Sequence, residues 1–181
     1  ANGCTVNTIS EIEQPAELIA SISDVTNVLC YGDNKGAIRV SVTGGVQPYQ
    51  FRWSNGDRTQ DIEEVIAGVY SLKITDANGS VKNLETEITQ PTALSANISS
   101  LVHNDCYGEQ QGSIAVTVSG GVAPYSYSWS NGSSSSSISD LSAGSYDVII
   151  RDSLGCEQRL VAEIEQPEEL LAVVENIRNI N

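Results

Sequence analysis

The chain writes one pattern twice. Sliding the sequence along itself by the distance from Cys30 to Cys106, 106 − 30 = 76 residues, superimposes it without a gap. Roughly 30 identities fall in about 69 aligned positions, which marks a true internal repeat. Two units of one fold are therefore expected in 181 residues, each with its own modest core. Gln-Pro pairs at 14–15, 90–91 and 166–167 keep the same register, and because proline cannot donate to a strand ladder they read as joints. The units are then residues 16–91 and 92–167. Residues 1–15 match the last strand of a preceding unit and 168–181 the first strand of a following one. The chain reads as a window cut from a longer array, or as one whose terminal strands complete neighbouring molecules by strand addition.

Within each unit the apolar period is two. Leu18, Ala20 and Ile22 alternate with polar residues, as do Ile38, Val40 and Val42, then Tyr70, Leu72 and Ile74, then Leu84, Thr86 and Ile88. The second unit repeats these faces at Leu94, Ala96 and Ile98, at Ile114, Val116 and Val118, at Tyr146, Val148 and Ile150, and at Leu160, Ala162 and Ile164. Such alternation, bounded by Gly, Asn and Asp turns, predicts short half-buried strands and no helix. The most aromatic stretch, Gly44-Gly45 through Tyr49, Phe51 and Trp53 to Asn55-Gly56, recurs as Gly120-Gly121 through Tyr125, Tyr127 and Trp129 to Asn131-Gly132. It reads as a flexible glycine turn, a central strand with its rings on one face, and a type I′ hairpin turn. Ala67-Gly68-Val69-Tyr70 and Ala143-Gly144-Ser145-Tyr146 stand where an immunoglobulin-like sandwich carries its tyrosine corner. The expected fold is all-β: tandem immunoglobulin-like (PKD-like) sandwiches of about seven strands on a 76-residue period, their cores built on Trp53, Trp129, Tyr49, Tyr125, Tyr70 and Tyr146.

Charge and composition exclude several functions. A formal charge of −14, from 9 basic and 23 acidic residues, argues against nucleic acid, whose phosphates need a basic face. It disfavours anionic membrane surfaces too, and no apolar run approaches the roughly 20 residues of a membrane helix. The absence of Met, with four Cys and abundant Ser, Thr, Asn and Gly, fits an exported β protein, extracellular or on a cell surface. Catalysis lacks a base: His103 is the one histidine, and the first unit has Asn27 in its place.

A family resemblance rests on an ordered set of motifs. Cys106-Tyr107-Gly108, Gly112-Ser113-Ile114, Gly120-Gly121, Pro124-Tyr125 through Trp129-Ser130-Asn131-Gly132, Leu141-Ser142-Ala143-Gly144-Ser145-Tyr146, Asp152-Ser153-Leu154-Gly155-Cys156 and Gln166-Pro167 resemble the SprB-type repeat. That repeat occurs in tandem in very large surface adhesins of gliding Bacteroidetes. The first unit matches as well, except that Ser80 replaces the closing cysteine. The resemblance implies an exported adhesin or filament built of Ig-like or PKD-like modules, carried out by the type IX system, with no catalytic residue to transfer.

The expected role is stalk or adhesion material of such a surface adhesin. The alternatives are a fibre subunit joined by strand exchange and a glycan-binding module. Partners are then neighbouring repeats or protomers of the same protein, and surface glycans. The cysteines occupy a repeat-opening position (Cys30, Cys106) and a repeat-closing one (Cys4, Cys156). Pairing within a repeat joins Cys106 to Cys156, pairing back across a joint joins Cys4 to Cys30, and pairing forward joins Cys30 to Cys156. The first is favoured because it makes a module self-sufficient, a loop of about 50 residues being worth about 2–4 kcal/mol when closed. No cofactor is expected. Calcium is the one ion to weigh, at turns such as Asp76-Ala77-Asn78-Gly79, where an Asx turn is the commoner meaning. Asn78, Asn97 and Asn131 fit an N-linked glycosylation pattern, and Ser153 an O-linked one. Tyr31 and Tyr107, outside the alternating strands, suit packing over a joint or stacking on a sugar.

Overall fold

The computed structural model describes Asn2 and residues 14–173. Among them the chain is all-β, twelve strands in two compact units. One unit takes in the described residues up to Thr89 except Leu29–Gly32; that short segment is grouped with the other unit, which begins at Gln90.

In the first unit β1 (Ile19–Thr26), β2 (Gly36–Thr43) and β4 (Ile62–Val65) form one antiparallel sheet in the order β1-β2-β4. The strands β3 (Gln50–Trp53), β5 (Gly68–Thr75) and β6 (Val81–Ile88) form the other, in the order β3-β5-β6. The two apolar faces enclose Ile38, Val40, Trp53, Ile62, Leu72, Ile74 and Ile88, all buried. Each such side chain contributes about 1.5–3 kcal/mol by leaving water, so a unit of this size closes on its own core. The second unit repeats the plan. Its sheets are β7 (Ser95–Val102), β8 (Gly112–Ser119) and β10 (Ser137–Leu141), and β9 (Ser126–Trp129), β11 (Gly144–Arg151) and β12 (Glu157–Ile164), around Ile114, Trp129, Val148, Ile150 and Ile164.

The tyrosine corner is present in both units. Tyr70 donates from its hydroxyl to the Ile66 carbonyl at 2.9 Å and Tyr146 to that of Ser142 at 3.1 Å. Trp53 and Trp129 are buried, their indole N–H groups donating to the carbonyls of Thr59 and Ser135. Tyr49, Tyr125 and Tyr146 are only half-buried and pack on the cores from the side.

Four sequence expectations are corrected. Among the described residues each unit has six strands, three to a sheet, and not about seven. The aromatic strand lies at a sheet edge; the central strands are β5 and β11, because the short aromatic segment finds one partner and the eight-residue strand finds two. The Asn-Gly pairs do not make type I′ hairpins. Only the glycines Gly56 and Gly132 have positive φ, and the chain passes from there to the opposite sheet, where β4 pairs with β2 and β10 with β8. Finally, the Gly-Gly turns are held, not loose. Gly44 and Gly45 sit at φ +68° and +61°, and a Cβ on Gly44 would stand 1.9 Å from the Glu17 carbonyl oxygen.

One further departure is local. Ile98 is exposed, although its spacing from Leu94 and Ala96 predicts an inward side chain; the equivalent Ile22 packs on the first core, and a bulge follows both residues.

Candidate functional site

The features that distinguish these units chemically gather in the loops that hold the cysteines. The closing loop is built on a buried aspartate. Asp76 Oδ1 accepts from the Asn78 and Ser80 amides at 3.0 and 2.7 Å, and its Oδ2 from Val46 at 3.0 Å. Asp152 repeats this with Leu154 and Cys156, both 2.9 Å, and Val122 at 3.0 Å. Burial raises the pKa of either carboxyl, but the converging backbone N–H groups outweigh it and hold both below the ordinary aspartate value. The carboxylate thus fixes the position four residues on, Ser80 in one unit and Cys156 in the other. The Asp76 turn weighed for calcium is an Asx turn whose two oxygens are taken up by the chain's own amides. Among the described residues no group of three or more His, Cys, Asp or Glu side chains is arranged to hold a metal.

The opening loop is anchored differently. Gln90 accepts at Oε1 from the Gly32 amide at 2.8 Å, and Gln166 from Gly108 at 2.9 Å. The glutamine of each Gln-Pro pair therefore ties down the loop bearing the opening cysteine of its repeat. Spacing had marked that glutamine only as part of a joint.

The structure pairs Cys30 with Cys156, with the two Cα atoms 5.6 Å apart. This is the forward pairing, and it corrects the within-repeat bridge expected first between Cys106 and Cys156. The physical reason is that Gln90 holds the loop of Cys30 through the Gly32 amide at 2.8 Å, and the Leu29 carbonyl there lies 3.4 Å from Cys156 Sγ. Cys106 is a free, exposed thiol. Cys4 lies outside the described residues, as do the rest of 3–13 and 174–181; residues 168–173 are described and form no strand.

His103 is not placed as a catalytic base. Its Nδ1 accepts from the Glu165 amide at 3.0 Å, and in the first unit Asn27 Oδ1 accepts in the same way from Thr89 at 2.9 Å. Two different side chains thus hold the end of the last strand in each unit. Asn104, buried beside His103, accepts from Gln111 and Gly112 at 2.7 Å and donates to Leu141 at 3.1 Å, where the first unit has buried Val28. Neither role was legible from spacing. The one available signal was that side chains of different chemistry stand at matching positions just before the opening cysteine.

The remaining candidates are surface features. Asn78, Asn97, Asn131 and Ser153 are all exposed. Tyr31 and Tyr107 are 61% and 53% exposed. A concavity of about 480 Å³ on the outer face of β3 and β5 is lined by Tyr49, Gln50, Phe51, Arg52, Arg58 and Lys73 among others. Arg52 and Lys73 stand opposite each other in the strand register. Like charges so placed repel, and neither forms a salt bridge among the described residues, whereas Arg39, Arg151 and Arg159 each pair with a carboxylate.

The fold and its loops define a class: tandem immunoglobulin-like β-sandwich repeats. The family model described as the SprB repeat matches residues 22–58 and 99–134, one segment in each unit. Each unit thus holds one segment that matches the SprB repeat.

No curated protein matches the chain. Solved structures similar to it include three N-terminal domains of the bacteriophage RB49 highly immunogenic outer capsid protein, at 17% identity and a TM-score of 0.43 over 83% of this chain and 59% of that one. A C-terminal fragment of intimin in complex with the intimin-binding domain of its translocated receptor gives 16% and 0.39 over 86% and 64%. The titin domains I67–I69 give 12% and 0.46 over 83% and 66%. The chain thus spans 59–66% of the length of these structures, and likenesses this loose carry no argument about function.

Proposed function

We propose that this chain is stalk or adhesion material of an exported bacterial surface adhesin or extracellular filament, and not an enzyme. The observation that carries the reading is the duplication itself: one 76-residue SprB plan, repeated in register, closes a separate core each time. Selection for repeated self-contained modules suits a protein that must span distance, because length is gained by adding units. Its partners are neighbouring repeats or protomers. An antibody to the chain should label intact, unpermeabilised cells of the producing organism; labelling only after permeabilisation would overturn the surface reading. Sedimentation across a concentration series separates this role from the fibre alternative, in which strand exchange through the terminal segments would make mass grow with concentration.

The glycan-binding reading is favoured by one observation: Arg52, Arg58 and Lys73, which form no salt bridge among the described residues, line the concavity beside Tyr49 and Phe51. Carboxylated or sulfated sugars fit that chemistry. A glycan array in which acidic sugars bind the native chain and not R52A/K73A supports it, and no binding to either removes it. Glycosylation at Asn78, Asn97, Asn131 or Ser153 would appear as excess intact mass in protein taken from the producing organism.

A further inference from the structure

Cys106 occupies in the second repeat the place that Cys30 occupies in the first, 76 residues on. Cys30 is bonded to the closing cysteine of the repeat after its own. The surroundings of the two opening cysteines match: a Tyr-Gly follows each, and the glycine amide is held by the glutamine of the repeat's Gln-Pro pair at 2.8 and 2.9 Å. The closing position is equally preformed, its backbone fixed by Asp76 in one unit and by Asp152 in the other. Whether a bond forms there is decided by the side chain, a hydroxyl at Ser80 or a thiol at Cys156. The bonded Cys30 thus serves, within one chain, as the direct precedent for an exposed Cys106.

We propose that Cys106 is the opening half of the same staple one period further along, and forms a disulfide with the closing cysteine of a following SprB repeat. The partner is a repeat with Cys, not Ser, at the position equivalent to Cys156. The SprB array would then be stitched covalently from each repeat to the next wherever that position is cysteine, and left unstitched where it is serine. The oxidant is a small-molecule disulfide. The Cys106 thiolate attacks it, releasing one thiol and leaving a mixed disulfide. The closing thiolate then displaces the second thiol, so that two protein thiols and one disulfide become one protein disulfide and two small thiols. The inference stands on the repeat register and does not depend on the surface location of the protein.

The test is an in-frame duplication of residues 92–167 within the full chain, which places a third repeat in register after the second. Cys4 and the second copy's Cys106 are replaced by Ser, and the second copy carries Glu157→Asp as a mass mark. The protein is folded in a mixture of oxidised and reduced glutathione, alkylated, and mapped without reduction. The expected result is two links, Cys30 to the unmarked Cys156 and Cys106 to the marked Cys156, with loss of alkylation at Cys106. The Cys30 link reports that the closing and opening loops have formed. Its presence with Cys106 alkylated overturns the proposal, and so does a bond from Cys106 to the unmarked Cys156 of its own repeat in place of the Cys30 link. Absence of both links overturns the pairing rule from which it is drawn.

Discussion

At the scale of single residues, a few buried polar groups do what the apolar pattern cannot. Asp76 and Asp152 each hold three backbone amides, which outweighs the cost of burial while the carboxylate stays ionised and leaves those amides poorly served when it is protonated. Their folded pKa values lie below the unfolded value. The stability they confer is therefore fully present above the unfolded aspartate value of about 3.9 and is lost as pH falls through the folded one. The urea midpoint of the native chain should hold from neutral pH to about pH 5 and drop below about pH 4, more steeply than that of D76N/D152N; parallel acid profiles would remove this role. Asn104 allows a sharper test. Asn104→Ala strands two donors and one acceptor in the second core, and should cost about 2–3 kcal/mol in urea unfolding while the first unit's transition stays put. Little of this was legible in sequence, because a buried Asp and a solvated turn Asp have the same letter and the same neighbours.

At the scale of elements, alternation named the strands well and their neighbours poorly. The apolar faces read from the period of two belong to strands that meet a core, with Ile98 itself exposed. What alternation lacks is pairing. The aromatic segment looked central because its side chains are large, yet it is short and edge-bound, and the Asn-Gly turn that resembles a hairpin sends the chain across the sandwich instead. The Gly-Gly turn shows how tightly that path is fixed. Gly44→Ala places a methyl group on the Glu17 carbonyl at a left-handed φ, and should destabilise the first unit by at least about 2 kcal/mol, read from its thermal or urea transition. A loss below about 0.5 kcal/mol would mean that the turn relaxes freely.

At the scale of the whole molecule, the repeat is the design and the cysteines are its variable part. The Asx turns are filled by the chain's own amides, so the melting temperature should be the same in millimolar calcium and in chelator; a rise with calcium of several degrees would call for a cation site that the described residues do not assemble. The sequence by itself determined the number of units, their all-β character, their period and the faces of their strands, since these follow from local alternation and from self-similarity. It also supplied the SprB resemblance that the matched segments bear out. Only the tertiary structure decided which strands are central, which aspartates carry load, and which cysteine meets which. The reason is the same for all three. Sequence spacing is a distance along the chain, whereas a pairing, a buried acceptor and a disulfide are fixed by proximity in space, and here proximity sets Cys30 against a cysteine 126 residues away and leaves free the Cys106 that is closer in sequence.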